Sequence, residues 1–166
     1  MPDPATLTLG ALAIAAAALV WAAVHDVAAR TIPNGLPALI AVVGLGAQAV
    51  SGTLLHALAA GALVFAVSGI AWLRGWMGGG DVKLLAAVAT LLPASDVPVA
   101  MAATALAGAP LALLYLGLRR VVTVPAARPR GRVGRALRAE AWRIRRGGPI
   151  PYGVAIACGT LVTVVA

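Results

Sequence analysis

The 166-residue chain holds five acidic residues, and two of them, Asp26 and Asp81, stand where apolar sequence ends or begins. Two carboxylates brought together can share a proton. One then takes a proton from water while the other donates to a peptide carbonyl, the division of labour by which paired acids hydrolyse an amide. Carboxylates at or inside a membrane boundary are costly to keep and mark functional positions. Asp81 follows three glycines in "GWMGGGDVKLLAA", residues 75–87. Glycine lacks a Cβ and permits close backbone approach. Gly78 and Gly80 are therefore expected to leave room for an extended peptide and for a second carboxylate beside Asp81. The plainer alternatives are an N-cap role for Asp81 and an exposed boundary charge at Asp26. A pairing of the two on one side of a membrane weighs against both.

The elements that must position this pair are membrane spans. The chain is 61% hydrophobic and only 11% charged, against roughly 25% charged in soluble domains. Residues 1–166 read as one integral membrane domain with no appended soluble domain. A single cysteine, Cys158, allows neither an internal disulfide nor a CxxC pair. The start, "MPDPATLTLG", lacks the basic region of a signal peptide, so the first apolar stretch is expected to be a retained span.

Charges and turns divide the rest. Pro4–Val24 holds no Asp, Glu, Lys or Arg and matches the ~20 residues that cross a bilayer. "TIPNGLP" follows as a turn. The uncharged run Thr31–Leu73 is too long for one span, and "SGT" at 51–53 splits it into roughly 36–51 and 54–73. A short fourth span starts at or just before Asp81. The fifth covers about 98–118 and the sixth about 151–166. Spanning segments must satisfy their own backbone hydrogen bonds, so helices are expected. The reading is an all-α membrane protein with six transmembrane helices.

The charge distribution orients it. The odd-numbered connections carry Arg30, then Arg74 and Lys83, then ten arginines within 119–148, which is every one of the 13 basic residues. The opposite side carries Asp3 and Asp96. By the positive-inside rule both termini lie outside and the basic connections lie in the cytosol. Asp26 and Asp81 then share the cytosolic side. Within the basic loop, about 119–148, "VGRALRAEAWRIRR" (133–146) places Val133, Leu137, Ala141 and Ile144 on one stripe. An amphipathic helix on the membrane surface is expected there, with anionic lipid contributing about 1 kcal/mol per basic residue. In this membrane setting the arginines do not imply nucleic acid. Glu140, among them, reads as a surface partner. Lys83 reads as a snorkelling cation, since residues two apart on a helix face different ways. Trp21, Trp72, Trp76 and Trp142 read as interfacial anchors, and Tyr152 and Gly153 as structural packing, with a place beside the active site as the alternative. His25 and His56 fall near opposite faces, so no metal and no cofactor is expected.

Gly78-Gly79-Gly80-Asp81 matches the GxGD motif of the type IV prepilin peptidases. Asp26, followed six residues later by Ile32-Pro33-Asn34, resembles that family's first catalytic aspartate and its turn. "GGGDVKLLAA" and "PIPYGVAIA" (149–157) are similar to the short peptidases of tight-adherence (Tad/Flp) pilus systems. The resemblance runs over nearly the whole chain. It implies a multi-pass protein of the bacterial inner membrane, an aspartic endopeptidase that removes the leader of prepilins at the cytosolic membrane face. It implies Asp26 and Asp81 as the catalytic pair, with Gly78, Gly80, Lys83, Pro33 and Asn34 supporting the site or the substrate. Larger members carry an insert with paired CxxC motifs and also methylate the new N-terminus. This chain has neither the insert nor the cysteine pairs, which leaves N-methyltransferase activity open. The rival reading is an ion-coupled carrier or channel subunit with the two aspartates as a proton or cation site. Such sites lie near the midplane in broken helices, whereas both acids here fall at one face. A pseudo-enzyme serving as an assembly factor is a third reading.

Overall fold

The computed structural model describes residues 4–124 and 131–166. Part of the basic stretch, 125–130, thus lies outside the described residues. Among those described there are seven helices and no strand: α1 (Pro4–Ala29), α2 (Gly35–Val50), α3 (Leu54–Leu73), α4 (Gly79–Leu91), α5 (Val97–Val121), α6 (Arg132–Arg146) and α7 (Tyr152–Val165). Helices α1, α3 and α5 are long and apolar enough to cross a membrane, and α2 and α7 are shorter apolar helices. The protein is a multi-pass, all-helical membrane protein.

Helix α1 runs past the end of its uncharged stretch. It continues through Asp26 to Ala29 because nothing in His25–Ala29 breaks it. It stops at Arg30, whose φ is 56° and whose N–H still donates to the Asp26 carbonyl at 2.8 Å. Beyond it, Pro33 disfavours a helical Ile32. Asp26 therefore sits within the last turns of a helix and not in the connection after it.

Helix α4 lies against α2 and α3 and also touches α7, while α7 lies against α1 and α5. Most of α4 is buried, from Val82 through Leu91 apart from Lys83 and Ala86. In α3 only Ala57, Gly61 and Ser68 are buried. The helix carrying Asp81 is the enclosed one, and more apolar helices face outward. Close crossings bring this about. A Cβ at Gly44 would lie 2.7 Å from Leu91 Cα, and one at Gly108 would lie 2.8 Å from the Tyr152 ring. Small residues of this kind let helix backbones approach in lipid.

Helix α6 packs against α5 and α1. Val133 and Leu137 are exposed, whereas Ile144 is buried. Glu140 is not the surface partner that its arginine neighbours suggest. It turns inward, accepts from Arg30 Nη2 and from the Tyr115 hydroxyl at 2.6 Å, and meets Arg143 Nη1 at 3.4 Å. Arg30 and Tyr115 both lie where water is scarce and need an acceptor, and Glu140 supplies it. Arg143 also donates to the Ala28 carbonyl at 3.1 Å, tying α6 to the end of α1.

Candidate active site

Asp26 is only 6% exposed. The Gly153 N–H donates to its Oδ2 at 2.9 Å. Gly153 lies in the first turn of α7, where backbone N–H groups have no partner inside the helix and the helix dipole is positive. A Cβ at Gly153 would fall 3.0 Å from that oxygen and 3.2 Å from Asp26 Cβ. Glycine is what lets the start of α7 reach the carboxylate. The sequence shows only a "PYG" at a helix start, with nothing to name its partner.

Asp81 stands in the first turn of α4. The Gly78 carbonyl accepts from the N–H groups of Asp81 at 3.1 Å and Val82 at 3.2 Å. The glycines do make space, but the protein itself fills much of it. A Cβ at Gly78 would lie 3.0 Å from Asp81 Oδ2, one at Gly79 would lie 3.3 Å from Trp72 Nε1, and one at Gly80 would lie 3.1 Å from Ile32 Cβ. Room at Gly78 goes to the Asp81 side chain, and room at Gly80 goes to Ile32. Ile32 Cδ1 also lies 3.3 Å from the Cβ position of Gly153. The Ile32 side chain is thus wedged between the starts of α4 and α7.

Lys83 does not face Asp81. Its Nζ donates to Asn34 Oδ1 at 2.9 Å, and the Pro33 carbonyl accepts from the Leu36 N–H at 3.0 Å. Lys83, Asn34 and Pro33 thereby tie α4 to the turn after α1. That turn holds Ile32 in place.

Asp26 and Asp81 line one cleft of about 650 Å³, together with Arg30, Met77, Tyr152 and the segment 148–150. The two carboxylates lie within reach of each other's charge, and Tyr152 lies within reach of that of Asp81. The cleft opens at the end of the bundle that carries Arg30, Arg74, Lys83 and α6. Two acids in one cleft, one of them fixed by a backbone N–H, can divide a proton and act on a water and a carbonyl between them. Among the described residues, no group of three or more His, Cys, Asp and Glu comes together. His25 Nδ1 is taken up by the Thr31 carbonyl at 2.7 Å, and His56 lies on a cleft at the other end of the bundle.

Comparison with curated proteins and with solved structures returns no match. A family model does match, over residues 13–113. That span holds Asp26, the turn with Ile32, Pro33 and Asn34, and all of α2, α3 and α4 with Asp81. It stops short of Tyr152 and Gly153. The model is that of the type IV leader peptidases and covers more than half of the chain, and the chain belongs to the type IV leader peptidase family.

Proposed function

We propose that this peptidase is an aspartic endopeptidase that cleaves the leader from type IV, Flp-like prepilins at the cytosolic face of the bacterial inner membrane. The observation that carries the reading is the placement of Asp26 and Asp81 on one cleft at the basic end of the bundle. A substrate segment lying extended in that cleft presents its carbonyl to the pair. One carboxylate takes a proton from water as the water oxygen bonds to the carbonyl carbon. The other acid protonates the carbonyl oxygen. The tetrahedral intermediate then collapses, the C–N bond breaks, and the departing nitrogen takes a proton from the pair. The Gly153 N–H holds Asp26 in place throughout. The Lys83–Asn34 contact and Pro33 support the site by holding the Ile32 turn, and Gly78 and Gly80 give Asp81 and Ile32 their room.

Six spans support the cytosolic assignment, because they place all 13 basic residues on the side of the acids and both termini outside. Helix α6 then lies on the cytosolic membrane surface, with its arginines on anionic headgroups. The carrier reading finds less support: both acids lie at one end of the bundle, beside connections and helix starts, not in broken helices at its centre.

Co-expression with a Flp-type prepilin tests this, read by intact mass. The expected result is loss of the leader, abolished in Asp26→Asn and in Asp81→Asn. Intact prepilin beside well-expressed wild-type protein overturns the reading.

A further inference from the structure

Asp26 and Asp81 belong to helices that do not pack along each other; the neighbours that α1 and α4 share are α2 and α7. The Ile32 side chain bridges the two acids at one remove from each. A Cβ at Gly80, the residue before Asp81, would meet Ile32 Cβ at 3.1 Å, Cγ1 at 3.5 Å and Cδ1 at 3.6 Å. The length of the side chain thus lies along the start of α4. Its far end, Cδ1, is 3.3 Å from the Cβ position of Gly153, whose N–H donates to Asp26 Oδ2 at 2.9 Å. Asp26, Gly153, Ile32, Gly80 and Asp81 form a continuous series in which each member touches or adjoins the next.

The spacer in this series is stiff. Branching at Cβ restricts χ1 of isoleucine, and Pro33 keeps the Ile32 backbone extended. Lys83 Nζ donates to Asn34 Oδ1 at 2.9 Å and fastens the turn to α4. Ile32 is only 9% exposed and does not itself line the cleft. The separation of two carboxylates decides whether a water fits between them, as the two geometries of glycoside hydrolysis illustrate. We infer that Ile32 is a positioning residue: it holds the starts of α4 and α7 apart and so sets the separation of Asp26 and Asp81, keeping room for the attacking water and the substrate carbonyl. The role rests on the peptidase reading above; the spacing does not, and can be measured without turnover.

In the full chain, Asp26→Cys and Asp81→Cys are combined with Cys158→Ala, and the pair is linked with a short bifunctional thiol reagent, read by intact mass. Adding Ile32→Ala should speed linking about tenfold, because reaction between held groups depends steeply on their separation. Ile32→Val removes only Cδ1 and should speed linking about threefold; it decides the matter if Ile32→Ala does not accumulate in the membrane. Ile40→Ala empties a fully buried position on α2 and should leave the rate unchanged. In protein that keeps both aspartates, Ile32→Val should lower kcat about fivefold on a synthetic peptide spanning a prepilin leader junction, with KM nearly unchanged. Unchanged or slower linking in Ile32→Val, or an equal rise in Ile40→Ala, makes Ile32 plain core packing and overturns the inference while the peptidase reading stands. A kcat that stays at the wild-type value overturns it as well, and so does a loss carried by KM, which would place Ile32 against the substrate. If the wild type leaves the peptide intact, the peptidase reading falls, and the linking rates still decide whether Ile32 sets the spacing.

Discussion

The two ends of the bundle hold clefts of almost equal volume, about 650 Å³ around Asp26 and Asp81 and about 640 Å³ around Gln48, His56 and Asp96. Their polar groups are spent differently. At the second end Gln48 Nε2 donates to the Leu91 carbonyl at 3.1 Å, and Thr53 Oγ1 donates to Gln48 Oε1 at 2.5 Å. Ser95 there donates to Asp96 at 2.9 Å. These side chains close the helix ends and satisfy one another. At the first end a backbone N–H reaches Asp26, two acids face a common space, and a buried arginine keeps N–H groups without acceptors among the described residues. Volume alone does not make a site. Functional groups that the fold brings together without pairing them off do.

The contrast can be broken most sharply by asking which end faces the cytosol. In a Cys158→Ala background, Ser51→Cys and Ser95→Cys should react with an impermeant thiol reagent outside intact cells. Thr31→Cys and Arg145→Cys should react only once the membrane is opened. All four positions are exposed, so the outcome is all or none. The reverse pattern would put the acids on the side opposite to the one proposed.

Chemistry comes next in size. Asp26→Asn and Asp81→Asn should each lower kcat by about 10³-fold, within the range of acid–base catalysis. Asp96→Asn at the other end should stay within about twofold, since its side chain accepts from the neighbouring Ser95 and isolated surface contacts count for little. Similar losses at both ends, measured on a prepilin peptide, would erase the distinction.

Packing sharpens the same comparison. Gly80→Val adds a branched side chain against Ile32, whose Cβ is 3.1 Å from the added carbon. It should cost about 10²-fold in kcat/KM by shifting Asp81, as misplacing a reacting group does. Gly46→Val on α2 meets nothing within 4 Å and should be near neutral. Equal activity of the two variants in membranes with matched protein levels would show that Gly80 is a permissive position only.

The smallest expected effect is at the tie between α4 and the Ile32 turn. Lys83→Met removes the hydrogen bond to Asn34 and should lower kcat/KM by about two- to fivefold, as an exposed polar contact does. A loss as large as that of Asp81→Asn would move Lys83 from support to chemistry.

Much of the frame was legible before the structure. Charge-free stretches punctuated by Pro, Gly and Ser mark α3 over 54–73 and bring α2 within one residue of its limits. The end of α1 was not legible, because hydropathy falls at His25 while helix propensity does not. The meeting of Asp26 with Asp81 could be anticipated from their placement on one side. The Gly153 contact could not, because it joins the last helix to the first and leaves no trace in local spacing. Glu140 misled because arginines dense in sequence look like open surface, whereas Tyr115 and Arg30 approach from other helices. That Lys83 faces away from Asp81 was legible from their spacing, but its partner Asn34 was not, because it lies in a distant turn.

Helix α4 is 13 residues long, with Asp81 in its first turn, and the neighbouring α7 has 14. At 1.5 Å per residue each spans roughly 20 Å, well short of the ~30 Å of a hydrocarbon core. Helix α4 is enclosed by α2, α3 and α7, so protein surrounds the shortfall: the cleft with Asp81 and Tyr152 lies at the starts of α4 and α7, and the cleft with Leu91 and Thr163 lies at their ends. Two short helices amid longer ones leave a hollow at each end of the bundle, and the hollows are the length that the short helices lack.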